Sequence, residues 1–195
     1  VNFDPMPKMF FNKKLKNFRL SNINQKIKLL SNLKVDFVIT KKFDKKFSKT
    51  KARNFISQIL NKKLSSKFIF VSNNFRFGNK REGNVNLLQK YEQLFNYKVV
   101  KPEPLIKSKK IVSSSLIRNL LENGLLDKAN NLLKRYWTIQ GVVKKGRQVG
   151  KKIGFPTCNI DIDDYVLAKP GVYAVRVLKK NSKKYLKGCL LYTSD

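Results

Sequence analysis

The sequence predicts an α/β protein, in which a doubly wound domain with a parallel sheet is followed by a β-rich domain. Short apolar runs alternate with amphipathic helical segments as far as residue 134. From residue 135 onward, glycines crowd together and the chain alternates apolar and polar residues as strands do. We therefore predict a first domain at 1–134 and a second at 135–195. The chain opens on a strand end, so the first βα unit of the doubly wound domain is expected to be missing.

The elements of the first domain follow from the spacing of apolar residues. Helices carry them at intervals of three or four, whereas buried parallel strands are short and nearly continuous apolar runs. In chain order these are a strand end at 1–4, a helix at 21–33, a buried strand at 35–40, a helix at 51–60, a strand at 68–72, a helix at 85–95 and a strand at 97–100. In the helix at 85–95 the spacing turns Leu87, Leu88, Tyr91 and Leu94 inward.

Two short helices and a change of pattern follow the breaker at 101–104. Either Ser113 or Ser114 can cap the first helix, which ends at Asn123 and Gly124, and the second runs over 125–133. Residues 138–143 and 171–177 then read as strands.

Composition excludes several classes of site. The chain has no histidine, so it cannot form a Ser-His-Asp triad, a Cys-His pair or a zinc site with imidazole ligands. The two cysteines, Cys158 and Cys189, are too far apart in sequence for a metal knuckle and favour a reducing, cytoplasmic location. No apolar run reaches the roughly 18–20 residues that a membrane span needs.

The formal net charge is +31, from 43 Lys and Arg against 12 Asp and Glu. Lysine far outnumbers arginine, and Asn, Ile and Phe are abundant, as an AT-rich genome would encode. Codon bias with generic phosphate affinity is one interpretation. The alternative is a basic RNA-binding α/β module without catalysis, which would show steep salt dependence.

The first candidate site follows the strand at 68–72. Ligands of open α/β sheets bind at the carboxyl ends of strands, where Asn74 and Arg76 stand here. The alternative is an ordinary polar turn with Phe75 and Phe77 packed beneath it.

The second candidate is the helix start at 112–118. Serine hydroxyls and free backbone N–H groups at a helix N-terminus attract anions, and Arg118 lies one turn into the helix, after Ser114. A plain serine cap with Arg118 as a solvated charge is equally open.

The third candidate is the glycine- and lysine-rich stretch at 141–159. Gly146, Gly150 and Gly154 recur every four residues among lysines such as Lys151, so backbone amides and cations can both approach phosphates. Thr157 and Asn159 stand two residues apart, on one side of an extended segment, with the oxygen donors that Mg²⁺ prefers. The alternative is a basic glycine hairpin leading into a strand.

Five motifs in this order resemble the bacterial bifunctional riboflavin kinase/FAD synthetase family. They are an FDPHP-like strand end at 3–7, a turn at 74–78, an S-S-T-x-I-R-like helix start at 113–118, a short helix at 126–133 and the G-F-P-T-x-N signature at 154–159. The resemblance implies a Rossmann-like nucleotidyltransferase domain at 1–134, which makes FAD from FMN and ATP. It also implies an incomplete β-barrel riboflavin kinase domain at 135–195, which makes FMN from riboflavin and ATP.

The resemblance also implies roles for the candidate residues. Asn74, Ser114 and Arg118 would hold nucleotide phosphates in the first reaction. Gly150, Lys151 and Gly154 would frame the nucleotide in the second, and Thr157 and Asn159 would coordinate Mg²⁺.

The chain departs from the family pattern at both ends. The H-x-G-H turn of the family would lie upstream of Val1, and the acidic general base would lie beyond Asp195. We therefore expect a fragment truncated at both ends and inactive by itself, with a tail from about Cys189 that departs from the family sequence.

Overall fold

The structure is a computed structural model that describes residues 1–15, 18–146, 149–152, 154, 157–162 and 165–192. Two compact units divide the chain: Val1–Lys13 with Val38–Ile111, and Lys14–Phe37 with Val112–Asp195. The predicted domain boundary at residues 134/135 stays a prediction.

The described elements are short. In chain order they are β1 (Asn2–Asp4), α1 (Pro7–Phe11), α2 (Ile23–Asn32), β2 (Thr40–Lys42), α3 (Lys45–Ser48), α4 (Ala52–Asn54) continued by a π-helix (Phe55–Lys63), β3 (Phe68–Phe70), a 3₁₀ turn (Asn79–Arg81), α5 (Val85–Lys90), α6 (Glu92–Phe95), β4 (Lys98–Val100), β5 (Ile106–Lys107), β6 (Lys110–Ile111), α7 (Ser114–Glu122), α8 (Leu126–Leu133), β7 (Val143–Lys144), α9 (Val149–Lys152), β8 (Asn159–Ile160), β9 (Gly171–Leu178) and β10 (Tyr185–Tyr192). No helix in these described ranges is long and apolar enough to cross a membrane.

The strands of the first unit pair in parallel, as predicted, but not as one sheet. β1 pairs with β2 and β3 pairs with β4, each over three residues, and β5 with β6 forms a small antiparallel hairpin. Within the described residues these pairs are separate two-stranded sheets. The described chain thus shows the predicted parallel pairing, while the larger doubly wound sheet stays a prediction.

The prediction of a buried strand at 35–40 is wrong. The strand found here is β2, which starts five residues later at Thr40, and all three of its residues are exposed. Phe37 is 87% exposed, so the apolar run before the strand is not covered within the described chain. A run of apolar residues forms a buried strand only where neighbouring elements pack on it.

The core of the first unit lies between the helix at 52–63, α5 and the β3–β4 pair. Ile56 and Leu88 are fully buried, and Ile69 and Val99 contribute the inward face of the two strands. Phe68 and Phe70 flank Ile69 and are 63% and 67% exposed, so β3 is half-buried rather than buried on both faces as predicted.

The helix predicted at 85–95 breaks in the middle. It divides at Tyr91, whose backbone (φ −99°, ψ 5°) ends α5. This break turns α6 away from the register of α5, and Leu94, predicted to point inward, is exposed. Tyr97 closes the core by donating its hydroxyl to the Leu88 carbonyl at 2.6 Å. Burial, with a smaller effect of Glu92, raises the pKa of Tyr97 to about 12.

The two short helices of the second unit are confirmed. Ser113 is the N-cap of α7 and accepts a hydrogen bond from the Leu116 amide. The helix ends before Gly124, whose φ of +72° suits glycine. α7 and α8 bury Ile117, Leu121 and Ala129 in a small core.

The β-rich part of the second unit consists of two antiparallel pairs. β7 pairs with β8 over two residues, and β9 pairs with β10 over eight. The strand predicted at 171–177 is confirmed, whereas only Val143 of the strand predicted at 138–143 lies in a strand, β7. The described residues contain no closed barrel.

Gly78 gives a first testable prediction. Its φ is +77°, and a Cβ there would lie 2.7 Å from the Ala52 amide nitrogen. Gly78→Ala should therefore lower the free energy of unfolding by about 3 kcal/mol, through backbone strain and overlap together. A urea titration followed by circular dichroism measures this loss.

A matched control isolates the contribution of strain. Asn96 has φ +50°, is exposed and lies in the same unit, so Asn96→Ala should cost only about 1 kcal/mol. Equal losses in both variants would show that contact with Ala52 contributes nothing.

Candidate functional site

Asn74 lies in the turn after β3, at the carboxyl end of that strand. Its side chain is exposed, and its Oδ1 accepts a hydrogen bond from the Ser72 hydroxyl at 3.0 Å. Phe77 is 7% exposed and stacks on Phe75 with ring centroids 5.6 Å apart. The turn thus combines both interpretations: two phenylalanines anchor it, and the amide side chain is presented to solvent.

Ser114 is the first residue of α7 and is exposed. Because Ser113 caps the start of α7, the hydroxyl of Ser114 is not needed as an N-cap. Arg118 follows one turn later, and residues four apart lie on one face of a helix. The structure therefore places Ser114 and Arg118 on one face of α7.

Arg118 is not a solvated charge. Its Nε donates to the Phe18 carbonyl at 2.8 Å, and its guanidinium carbon lies 3.6 Å from the centroid of the Phe18 ring. Burial lowers the pKa of Arg118, and Glu122 partly opposes this shift. Phe18 thus occupies Nε and one face of the guanidinium, which fixes the direction of the side chain.

Thr157 and Asn159 come together with basic residues in one cleft of about 360 Å³. The cleft is lined by Val143, Lys144, Lys145, Gly146, Thr157 and Asn159. Pairing of β7 with β8 produces this arrangement, since it sets Lys144 opposite Asn159. Sequence spacing predicted the hydroxyl–carboxamide pair, and the structure adds the lysines of the facing strand.

Asp161 is a residue that the sequence interpretation missed. Its carboxylate pairs with the Lys144 ammonium, while its backbone amide donates to the Val142 carbonyl at 3.3 Å. A signal was present, because this acid stands two residues after the signature at 154–159 in a chain with few acids. With Lys144 paired, Lys145 is the other cation of the cleft lining.

Gly150 and Lys151 lie in α9, which is a short helix where a loop was predicted. Lys151 is exposed. Gly154 has φ +83° and open space where a Cβ would stand. The described lining of the cleft does not include these three residues, and part of the G-F-P-T-x-N signature, residues 155–156, lies outside the described residues.

The oxygen donors suit Mg²⁺ better than a transition metal. The described residues contain no group of three His, Cys, Asp or Glu side chains that could hold an ion. Thr157 and Asn159 line the cleft, and their side chains carry one hydroxyl and one amide oxygen. Mg²⁺ retains waters and substrate phosphates, so a site with two protein oxygens fits its chemistry.

Comparison with known families separates the chain into two parts. A family model described as FAD synthetase matches residues 1–116, and one described as riboflavin kinase matches residues 133–191. The chain belongs to the FAD synthetase family. The resemblance drawn from five short motifs is thereby confirmed, including its order of an FAD synthetase part before a riboflavin kinase part.

Relatives of this chain are named bifunctional riboflavin kinase/FMN adenylyltransferase. One from Buchnera aphidicola of Schizaphis graminum is 38% identical over 97% of this chain and 61% of its own length. One from Escherichia coli K12 is 35% identical over 93% of this chain and 58% of its own length. The chain thus spans about 60% of the curated relatives it matches.

A solved structure has a similar fold. It is described as a macrolide-efflux protein from Streptococcus pneumoniae, with a TM-score of 0.75 and 23% sequence identity. The match covers 95% of this chain and 60% of that one. At this identity the likeness bears on the fold alone.

Gly146 gives a second prediction, which rests on the Mg²⁺ and nucleotide binding proposed below for the part matched by the riboflavin kinase family. A Cβ at this position would overlap the Asn159 side-chain nitrogen. Gly146→Ala should therefore displace that carboxamide and weaken binding of Mg·ADP roughly tenfold or more. Titration calorimetry on the chain measures the dissociation constant.

Gly188→Ala is the control for this substitution. Gly188 lies in β10, and a Cβ there would make a tight but tolerable contact of 3.2 Å with Val177. The Gly188→Ala variant should bind Mg·ADP with the same affinity as the parent chain. Equal affinities of the Gly146 variant and the parent would mean that the Asn159 carboxamide does not contact the ligand.

Proposed function

We propose that this chain is part of a bifunctional enzyme that phosphorylates riboflavin to FMN and adenylylates FMN to FAD, with ATP as donor in both reactions. The family matches and the printed names of the relatives support this assignment. The observation that carries it is the cleft in which Thr157, Asn159 and Lys145 face the same space.

The cleft of the second unit is the proposed riboflavin kinase site. Thr157 and Asn159 would hold Mg²⁺, which supplies charge neutralisation and orientation of the phosphates when bound. Lys145 would bind the phosphate oxygens, and the absence of a side chain at Gly146 leaves room beside the Asn159 carboxamide. Transfer of the γ-phosphoryl group to the riboflavin 5′-hydroxyl depends mainly on such positioning and charge. Gly150, Lys151 and Gly154 are proposed to frame the nucleotide.

Asn74, Ser114 and Arg118 are the proposed phosphate-binding residues of the adenylyltransferase. In that reaction an FMN phosphate oxygen attacks the α-phosphorus of ATP, and pyrophosphate leaves. Asn74 offers an amide from an exposed turn in the first unit. In the second unit Ser114 offers a hydroxyl at a helix N-terminus, and Arg118 offers the guanidinium nitrogens that Phe18 does not engage.

The finer fold assignments are proposals of the same kind. The parallel β1–β2 and β3–β4 pairs support a Rossmann-like first domain at 1–134. The antiparallel β7–β8 and β9–β10 pairs support an incomplete β-barrel at 135–195. Two free, exposed cysteines in the described chain support a reducing, cytoplasmic location.

The complete protein that contains this sequence provides the test. With riboflavin, ATP and Mg²⁺ it should accumulate FMN and then FAD, which chromatography resolves by their fluorescence. Omission of Mg²⁺ should stop both products. Salt-sensitive RNA binding without flavin turnover would contradict the proposal and favour a nucleic-acid module.

A further inference from the structure

Tyr165 is buried, with 3% of its surface exposed. Its hydroxyl donates to Gln25 Oε1 at 2.5 Å and accepts from the Gln140 amide at 3.2 Å. The neighbouring residue Val166 is 1% exposed, belongs to the core with α7 and α8, and donates its amide to the Arg19 carbonyl at 2.8 Å. The ring of Tyr165 is therefore held at a fixed place.

Gln25 completes this group from helix α2. Its Oε1 also accepts from the Asn22 amide at 3.0 Å, in the capping box that starts the helix. Its Nε2 donates to the Thr138 carbonyl at 2.9 Å. The side-chain amide is 8% exposed and uses both of its ends, so it has one orientation.

Gln25 and Tyr165 hydrogen-bond to the segment that precedes β7, and residues of the β7–β8 pair line the cleft. Gln140 and Thr138 precede β7, whereas Tyr165 follows β8. Between them Gly141 approaches the Asp161 carbonyl so closely that a Cβ would overlap it. The hydroxyl of Tyr165 thus closes one end of the β7–β8 pair, and Thr157 and Asn159 lie toward the other.

We propose that Tyr165 and Gln25 are positioning residues for the nucleotide cleft. They set the register in which Asn159 faces Lys144, and they do so from helix α2, which belongs to the part matched by the FAD synthetase family. This inference rests on the proposed kinase function only for the identity of the ligand. The effect on the β7–β8 ladder is independent of it.

Tyr165→Phe tests the proposal, because it removes the hydroxyl and keeps the ring. Hydrogen exchange on the purified chain should show faster exchange at the amides of 140–144 and 159–161, with unchanged protection in α7 and α8. Mg·ADP affinity should fall about tenfold, since Gln25 Oε1 loses one of its two donors and the Gln140 amide loses its acceptor. Gln25→Leu should produce the same pattern, and the double variant should add little to either.

Tyr173→Phe is the matched control. The Tyr173 hydroxyl also donates to a backbone carbonyl, that of Lys169, but it lies on β9 outside the lining of the cleft. Tyr173→Phe should change neither the exchange of the amides at 140–144 and 159–161 nor the Mg·ADP affinity. Uniform loss of protection in Tyr165→Phe, or parent-like exchange in the ladder, would overturn the proposal. Local loss of protection in the variant, together with no Mg·ADP binding by the complete parent protein, would uphold the positioning role and refute the kinase assignment.

Discussion

Asn159→Ala is expected to reduce FMN formation by the complete protein on the order of 100-fold or more. Asn159 is one of the two cleft-lining residues proposed to bind Mg²⁺, and loss of a preorganised group that stabilises phosphoryl charge has effects of this size. The measurement is the rate of FMN formation from riboflavin at increasing Mg²⁺. The Mg²⁺ concentration that gives the half-maximal rate should be higher for the Asn159→Ala variant than for the parent protein. Thr157→Ala should behave in the same way.

The adjacent cysteine provides the control for this prediction. Cys158 lies between Thr157 and Asn159, is exposed and is not part of the described lining of the cleft. Side chains alternate along an extended segment, so Cys158→Ala should leave the rate nearly unchanged. FAD formation from added FMN should persist in all three variants. A parent-like rate in Asn159→Ala would remove this residue from the metal site.

The sequence predicted correctly those helices that depend on residues close to one another in the chain. α7 and α8 form where apolar spacing, a serine cap and Asn123-Gly124 agree. The pair Thr157 and Asn159 was predicted because alternation along an extended segment requires no information about distant residues.

Elements that depend on neighbours were predicted less well. The run at 35–40 is apolar enough for a buried strand, yet no described element covers it, and Phe37 is exposed. The helix at 85–95 has continuous helical spacing, but the backbone at Tyr91 interrupts it. The contacts of Arg118 with Phe18 and of Tyr165 with Gln25 join residues 100 and 140 positions apart, which spacing along the chain does not encode.

Arg118→Ala is expected to lower FAD formation from FMN about 100-fold in the complete protein, with FMN formation from riboflavin retained. The arginine would contribute a charge-assisted fork to a nucleotide phosphate, a contact that a neutral side chain does not replace. Initial rates of pyrophosphate release with FMN and ATP measure the loss. Arg53→Ala, at an exposed arginine of α4, should leave that rate unchanged.

Arg118→Lys separates the role of charge from that of geometry. Arg118 stacks on the Phe18 ring while its Nε is bonded to the Phe18 carbonyl, which leaves the terminal nitrogens for a phosphate. Lysine has one ammonium and no planar face, so it cannot make both contacts, and it should restore little activity. Phe18→Leu removes the stacking surface but keeps the carbonyl, and an intermediate rate is expected. Full activity of the lysine variant would show that the charge alone suffices and that the contact with Phe18 serves only packing.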